Sequence, residues 1–260
     1  HVQCSAMARA KLGERFDIHM ASADLVFPHN ENEIAQSRAL IGKPQARYWL
    51  HSELVLAKGK KMSYAEDTCV ALPDLIEKGY SPREVRFFLL QSHYRQPVHL
   101  ANDRLDAARA SLRRLDECVA NLTAVSSSGP RLPELEAGIV AMKETVREAL
   151  FDDMNISEAL AALFRLVRQA NYLMTQGRLH QDDAGDVEAA LRTVDEVLGI
   201  LPPQEKPEEL PPQIQDFLRQ RDEARTQKNF ALADEIRDGL AARGYVVEDI
   251  PGGTRIKRKN

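Results

Sequence analysis

Leu105, Ala108, Leu112, Leu115, Val119 and Leu122 step along the chain by three or four residues. That spacing puts them on one face of an α-helix as a continuous apolar stripe. A helix cannot bury its own stripe, so neighbours must cover it. Helices predicted around 132–150, 156–175 and 183–199 supply them, and "SSSGP" at 126–130 separates the first from the second. The chain is therefore expected to contain an antiparallel helical bundle, over 99–200. The stripe reads as core and not as a cofactor box.

The flanks differ from the bundle. "FDIHMASADLVFPH" (16–29) reads as strand, loop, strand and turn, and "ENEIAQSRALIG" (31–42) as a helix with acids in its first turn and Gly42 at its end. Residues 53–63 suggest a strand pair around "KGK". A helix should start after Ser81: Ser is a good N-cap, Pro82 fits the first helical position, and Glu84 completes a capping box. Trp49, Phe87 and Phe88 read as core. Past the bundle, "LPPQEKPEELPPQ" (201–213) holds five of the 13 prolines and reads as a stiff linker. Two short helices (213–226 and 229–243) follow, the second ending at Gly244. "YVVED", "IPGG" and "TRIKRK" then form a hairpin pattern. No internal repeat is evident. The fold class expected is mainly α with an α/β portion.

A hydrophobic fraction of 43% and a charged fraction of 28% suit a globular protein with real cores. The net charge of -4 does not mark the whole chain as a nucleic-acid binder, so such a role must come from a local patch. Arg255, Lys257, Arg258 and Lys259 form one such bias at the end. Cys4, Cys69 and Cys118 are too few and scattered for a disulfide framework, which points to a reducing, cytoplasmic setting. No apolar run approaches the roughly 20 residues that span a bilayer, so no membrane partner is expected. A chain that opens at His1, beside Cys4, is expected to be part of a truncated or split polypeptide.

Three groups of residues could carry chemistry. Cys4, His29 and Glu33 offer a thiolate, an imidazole and a carboxylate, all zinc ligands, and the last two lie four apart at a helix start. The same residues also suit a buried thiol, a loop histidine and a solvated acid. Lys60 and Lys61 in "GKKMS" could meet phosphates as point charges, or form an ordinary solvated turn. Arg225, Lys228 and Phe230, with Asp234 and Asp249 beyond, could bond base edges and stack on a base, as proteins do when reading single-stranded RNA loops. A solvated helix pair would look similar. His19 could be structural or catalytic, and His93 and His99 show no partner pattern.

Read together, "CSAMARAKLGERFDIH…ADLVFPHNENEIAQS…GKPQARYWLH…GKKMS…FFLLQSHYRQP" resembles the second half of the cysteinyl-tRNA synthetase catalytic domain, in order and with matching gaps. "RDEARTQKNFALADEIRDGLAARGYVVEDIPGGTRIKRK" resembles that family's anticodon module. The resemblance covers nearly the whole chain. It implies part of a class I nucleotide-binding catalytic domain at 1–55, a KMSKS-bearing connecting segment at 56–98, the bundle at 99–200, a linker at 201–212 and a small α/β anticodon domain at 213–260. It also implies ATP-dependent, Mg2+-assisted activation of cysteine and transfer to cysteine tRNA, with one zinc ion per full enzyme gripping the substrate thiolate. Cys4, His29 and Glu33 match three zinc ligands of the family, whose fourth ligand lies outside this chain, so the chain alone should bind zinc weakly and be inactive. His19, Lys61 and Ser63 match catalytic positions, Lys61 contacting ATP. Arg225, Asp234 and Asp249 match residues that bond anticodon bases, with Phe230 at the place of a stacking aromatic. A monomer is implied, the remaining catalytic half being on another polypeptide or removed.

Three departures stand against this. The family's HGGG segment reads His19-Met20-Ala21-Ser22, where side chains replace glycines that allow close backbone approach. Asn30 replaces the second histidine of FPHHENE. Tyr64-Ala65 replaces the end of KMSKS, which removes a lysine that would stabilise charge on the transferring phosphates. The HIGH signature falls outside the chain. Two readings result: a part of a working cysteine–tRNA ligase, or a degenerate paralogue that binds tRNA or cysteine without aminoacylation. Cysteine ligases of low-molecular-weight thiol synthesis share the catalytic fold but lack the anticodon module, so the C-terminal match argues against them.

Overall fold

The computed structural model describes residues 1–63, 68–203, 211–226, 229–250 and 253–258. Helix α1 (Val2–Leu12) leads into strand β1 (Phe16–Ser22), helix α2 (Glu31–Ile41) and strand β2 (Ala46–Ser52). β1 and β2 pair in parallel, with His19 beside Trp49 and Ala21 beside His51. A parallel pair needs a crossover between its strands, and α2 provides it. Gly42 ends α2 at φ 76°, a left-handed conformation natural to glycine, and its N–H returns to the Arg38 carbonyl.

The strand expected before Pro28 does not form. Ala23–Leu25 makes a 3₁₀ turn and Val26–Asn30 a wide helical turn. The apolar run there is short, Pro28 lacks an N–H for a ladder, and Phe27 lies 78% exposed. The turns run straight into α2, which sets His29 one helical turn before Glu33.

β3 (Val55–Ala57) pairs antiparallel with β4 (Lys60–Lys61), as the "KGK" turn predicts, and parallel with β5 (Val98–Leu100). Between them lie α3 (Leu72–Glu77) and α4 (Pro82–Leu90). The α4 N-terminus forms the predicted capping box: Ser81 accepts from the Glu84 N–H, and Glu84 accepts from the Ser81 N–H.

The bundle consists of α5 (Asn102–Ala124), α6 (Pro133–Phe151), α7 (Ile156–Thr175) and α8 (Gln181–Leu198). The predicted stripe is its core: Leu105, Ala108, Leu112, Leu115, Val119 and Leu122 are all buried. They join Leu163, Leu166, Val187 and Leu191, and Phe87 and Phe88 of α4, in one cluster. Cys118 is part of it, and burial pushes its thiol up to about 11, which keeps it protonated and inert.

Residues 204–210 of the expected linker lie outside the described residues; its end is helical, since α9 (Pro212–Thr226) opens at Pro212. α10 (Phe230–Ala242) and the hairpin β6 (Tyr245–Ile250) and β7 (Gly253–Arg258) follow. Ile214, Ile236, Leu240 and Tyr245 form a second, separate core. Among the described residues no helix is long and apolar enough to cross a membrane.

Candidate functional site

The C-terminal end of β1, the turn after it and the start of α2 converge on Glu33. Its side chain is wholly buried. Oε2 accepts a hydrogen bond from Asn30 Nδ2 at 3.0 Å. The same oxygen lies 3.5 Å from His19 Nε2 and 3.6 Å from His29 Nε2. Oε1 is buried and has no hydrogen-bond partner among the described residues. A bare carboxylate oxygen out of water is costly. Cys4, on α1, His29 and Glu33 place one ligand atom each within 4.8 Å of one another. α1 is tied to α2 by Ser5, whose hydroxyl donates to Gln36 Oε1 at 2.7 Å.

The donor set suits a zinc ion: a thiol, an imidazole and a buried carboxylate, one oxygen of which has no hydrogen-bond partner among the described residues. The structure thus brings together three residues that sequence separation kept apart, Cys4 lying 25 positions before His29. His19 joins them, its ring stacked on Trp49 with centroids 4.3 Å apart. Trp49, expected in the core, is half-buried and belongs to the site instead. The reason is register: Trp49 and His51 share a β2 face beside His19 and Ala21 of β1. Met20 points to the opposite face and is 69% exposed, so this departure from glycine does not crowd the Glu33 cluster.

Residues near Lys61 form a second, exposed group. Its ammonium pairs with Asp24, which also accepts from the Ser22 hydroxyl. The Lys61 contact and the Ser22 hydroxyl hold the Asp24 carboxyl below its usual range. Thr68 is buried, and its hydroxyl donates to the Lys61 carbonyl at 2.7 Å and accepts from the Ser63 N–H at 2.9 Å. The Thr68 N–H returns to the Ser63 carbonyl at 3.2 Å. Thr68 therefore fixes the base of the segment that carries Lys61 and Ser63. Tyr64 and Ala65 lie outside the described residues. Sequence reading passed over Asp24, Thr68 and His51, because nothing in their local pattern announces a partner 37, 7 or 21 positions away.

At the other end of the chain, Phe230 opens α10 with its ring 61% exposed. Asn229 caps that helix by accepting from the Leu232 N–H. Asp234, one turn on, faces solvent and lies 3.2 Å from Arg237 Nη1. Arg225 is in the last turn of α9. Asp249 sits on β6, opposite Thr254, with its side chain outside what is described, and Lys228 lies outside the described residues. His93 lies 3.9 Å from Asp153.

Known proteins match this chain along its length. Family models match in chain order: the catalytic domain of class I (C) tRNA synthetases over residues 1–110, the DALR domain over 145–202, and the cysteinyl-tRNA ligase anticodon binding domain over 208–256. The cysteine–tRNA ligase of Chlamydia pneumoniae is 42% identical over 258 residues, which is 99% of this chain and 54% of that protein. That of Symbiobacterium thermophilum is 40% identical over 264 residues, 99% of this chain and 56% of that protein. The chain thus spans about half the length of the curated relatives it matches. The LeuRS of Agrobacterium radiobacter K84, solved as a ternary complex with tRNA and LeuAMS, is similar in fold, with a TM-score of 0.52 at 16% identity over 71% of this chain and 26% of that one.

Proposed function

This chain belongs to the cysteinyl-tRNA synthetase family, and we propose that it supplies the zinc and cysteine site and the anticodon-reading end of a cysteine–tRNA ligase. The observation that carries the proposal is the Glu33 carboxylate. It is wholly buried beside Cys4 and His29, with one oxygen bare.

Cys4, His29 and Glu33 would hold the zinc ion, which supplies direct coordination of the substrate's thiolate and so rejects serine's hydroxyl without editing. His19 would border the substrate, its imidazole fixed by the Trp49 stack. Lys61 would contact ATP, with Mg2+ on the phosphates. Asp24, which now holds Lys61, must give it up for that contact. Ser63 would lie in the same loop, its backbone set by Thr68. At the far end Arg225, Asp234 and Asp249 would bond the anticodon bases of cysteine tRNA, and Phe230 would stack on one. The working divisions are residues 1–55, 56–98, 99–200, 201–212 and 213–260, in a cytoplasmic monomer completed by the rest of the catalytic domain.

A second reading draws on Lys61 and Tyr64. One lysine is engaged by Asp24, and the other is replaced by tyrosine. A paralogue that binds cysteine tRNA without aminoacylating it would show these features. Joining the chain to a family N-terminal catalytic half and measuring cysteine-dependent pyrophosphate exchange separates the two. Exchange supports the ligase. Its absence, with cysteine tRNA still bound over a tRNA of altered anticodon, establishes the paralogue. Loss of both overturns the proposal.

A further inference from the structure

A carboxylate that is to ligate zinc beside Cys4 and His29 must be held in one orientation, and Glu33 is buried on a rotatable side chain. We propose that Asn30 and His51 are positioning residues that orient Glu33 for metal binding, an inference that rests on that zinc reading.

The carboxylate of a glutamate turns easily about its last bond, since a terminal torsion at a planar group is broad. Glu33 is wholly buried, out of contact with bulk solvent. The Asn30 amide, 2% exposed, donates to Oε2 at 3.0 Å and so restrains the rotation of the carboxylate. Oε2, also 3.6 Å from His29 Nε2, is thereby held beside that imidazole, and Oε1 has no hydrogen-bond partner among the described residues. The amide orientation is forced. If it were turned over, its oxygen would face the carboxylate oxygen, acceptor against acceptor. With Nδ2 toward Glu33, Oδ1 faces His51 Nε2 at 3.1 Å. An amide oxygen only accepts, so His51 Nε2 carries the proton and donates. The chain of bonds runs His51 to Asn30 to Glu33.

The backbone places each member. Asn30 ends the turn before α2, so it stands three residues before Glu33 on the same helical side. His51 comes from β2, on the face shared with Trp49, and lies beside Ala21 of β1. Strand and helix are thereby joined through the amide. Outer partners of this kind orient metal ligands, and removing one typically weakens metal affinity by about 10- to 100-fold. The asparagine that departs from the family pattern thus keeps one donor and one acceptor in place, as a neutral imidazole would.

The test measures Zn2+ affinity of the full 260-residue chain by competition with a chromophoric chelator, alongside melting of the metal-free proteins. Asn30→Leu, similar in volume but without polar atoms, should bind Zn2+ about 10- to 100-fold more weakly. His51→Phe should weaken binding in the same direction. Asn30→His and His51→Gln, which retain the donor, should stay near wild type. If Asn30→Leu and His51→Phe are folded and bind Zn2+ as wild type does, the positioning proposal is overturned and the zinc site stands. If wild type binds no better than Glu33→Gln, the zinc reading falls and the proposal falls with it. Should Asn30→Leu not fold, the His51→Phe and His51→Gln pair decides by the same comparison.

Discussion

Arg86, on α4, donates from Nε to the main-chain carbonyl of Leu198, the last residue of α8, at 2.6 Å. The last carbonyls of a helix have no partner within it, so a side chain from another element closes this one. Arg83 does the same for the next stretch. Its Nη1 bonds Asp116 on α5 at 2.8 Å and the Ile200 carbonyl at 3.3 Å. The two arginines fix α4 to the bundle at the point where the chain departs toward α9. Arg86→Met keeps the stem and removes the donor. It should lower stability by about 1 kcal/mol, read as a lower urea midpoint at unchanged slope. An unchanged midpoint shows that the Leu198 carbonyl finds another donor.

Glu84 should make the chain acid-sensitive. Burial pushes its carboxyl up, but the Arg109 guanidinium at 2.9 Å and the Ser81 N–H outweigh this and hold it below the usual glutamate range. A carboxylate with a depressed folded pKa stabilises the fold above its unfolded pKa, and that stabilisation fades as pH falls through the folded value. The loss therefore begins as pH falls through the usual glutamate range, about 4.3, and continues below it. Glu84→Gln should melt lower than wild type at pH 7, and the gap should shrink in acid. A gap of constant size from pH 7 down to pH 3 would exclude the charge as its cause.

Thr68 carries a prediction about the segment around Lys61. Thr68→Val keeps the shape but leaves the Ser63 N–H without its acceptor and the Lys61 carbonyl without its donor. Faster amide exchange at Ser63, with little change in the bundle, is expected, and Thr68→Ser should restore protection. Equal exchange in all three proteins would show that the hydroxyl does not hold this segment.

The legible parts of the fold are those set by local pattern. The α5 stripe predicts a core because a 3.6-residue period survives any neighbour, and the Ser81 capping box involves residues three apart. α1 was not foreseen: it buries no residue and has no apolar face to read. β2 was missed as well, since "ARYWLHS" does not alternate apolar with polar. In the candidate site, Cys4, His29 and Glu33 were visible as residue types, the last two also by their spacing. Its support was not, for Asn30 meets His51 through the crossover that aligns β1 and β2, and Lys61 of β4 meets Asp24 across 37 positions. Trp49 reads as core by composition and turns out to be a platform for His19.

Asp234 tests the polar side of the anticodon reading. It is exposed and touches only Arg237 among the contacts described, at 3.2 Å. Exposed pairs of this kind contribute little to stability. Asp234→Ala should therefore leave the melting temperature near wild type while it weakens binding of cysteine tRNA. Unchanged affinity would remove Asp234 from the interface.

Phe230 tests the stacking side. An aromatic ring 61% exposed at the first turn of a helix stabilises little by burial, and the second core is built from Ile214, Ile236, Leu240 and Tyr245 without it. Stacking one base on such a ring is worth about 1–3 kcal/mol. Phe230→Ala should thus weaken cysteine tRNA binding by roughly 5- to 150-fold, from that same range, at constant melting temperature. Phe230→Trp, which offers a larger face, should bind at least as well. The contrast is with a packing role, in which alanine lowers the melting temperature and leaves tRNA affinity of the folded protein intact. Titration of fluorescent cysteine tRNA beside a melting curve tells them apart, and the second pattern would withdraw Phe230 from base recognition.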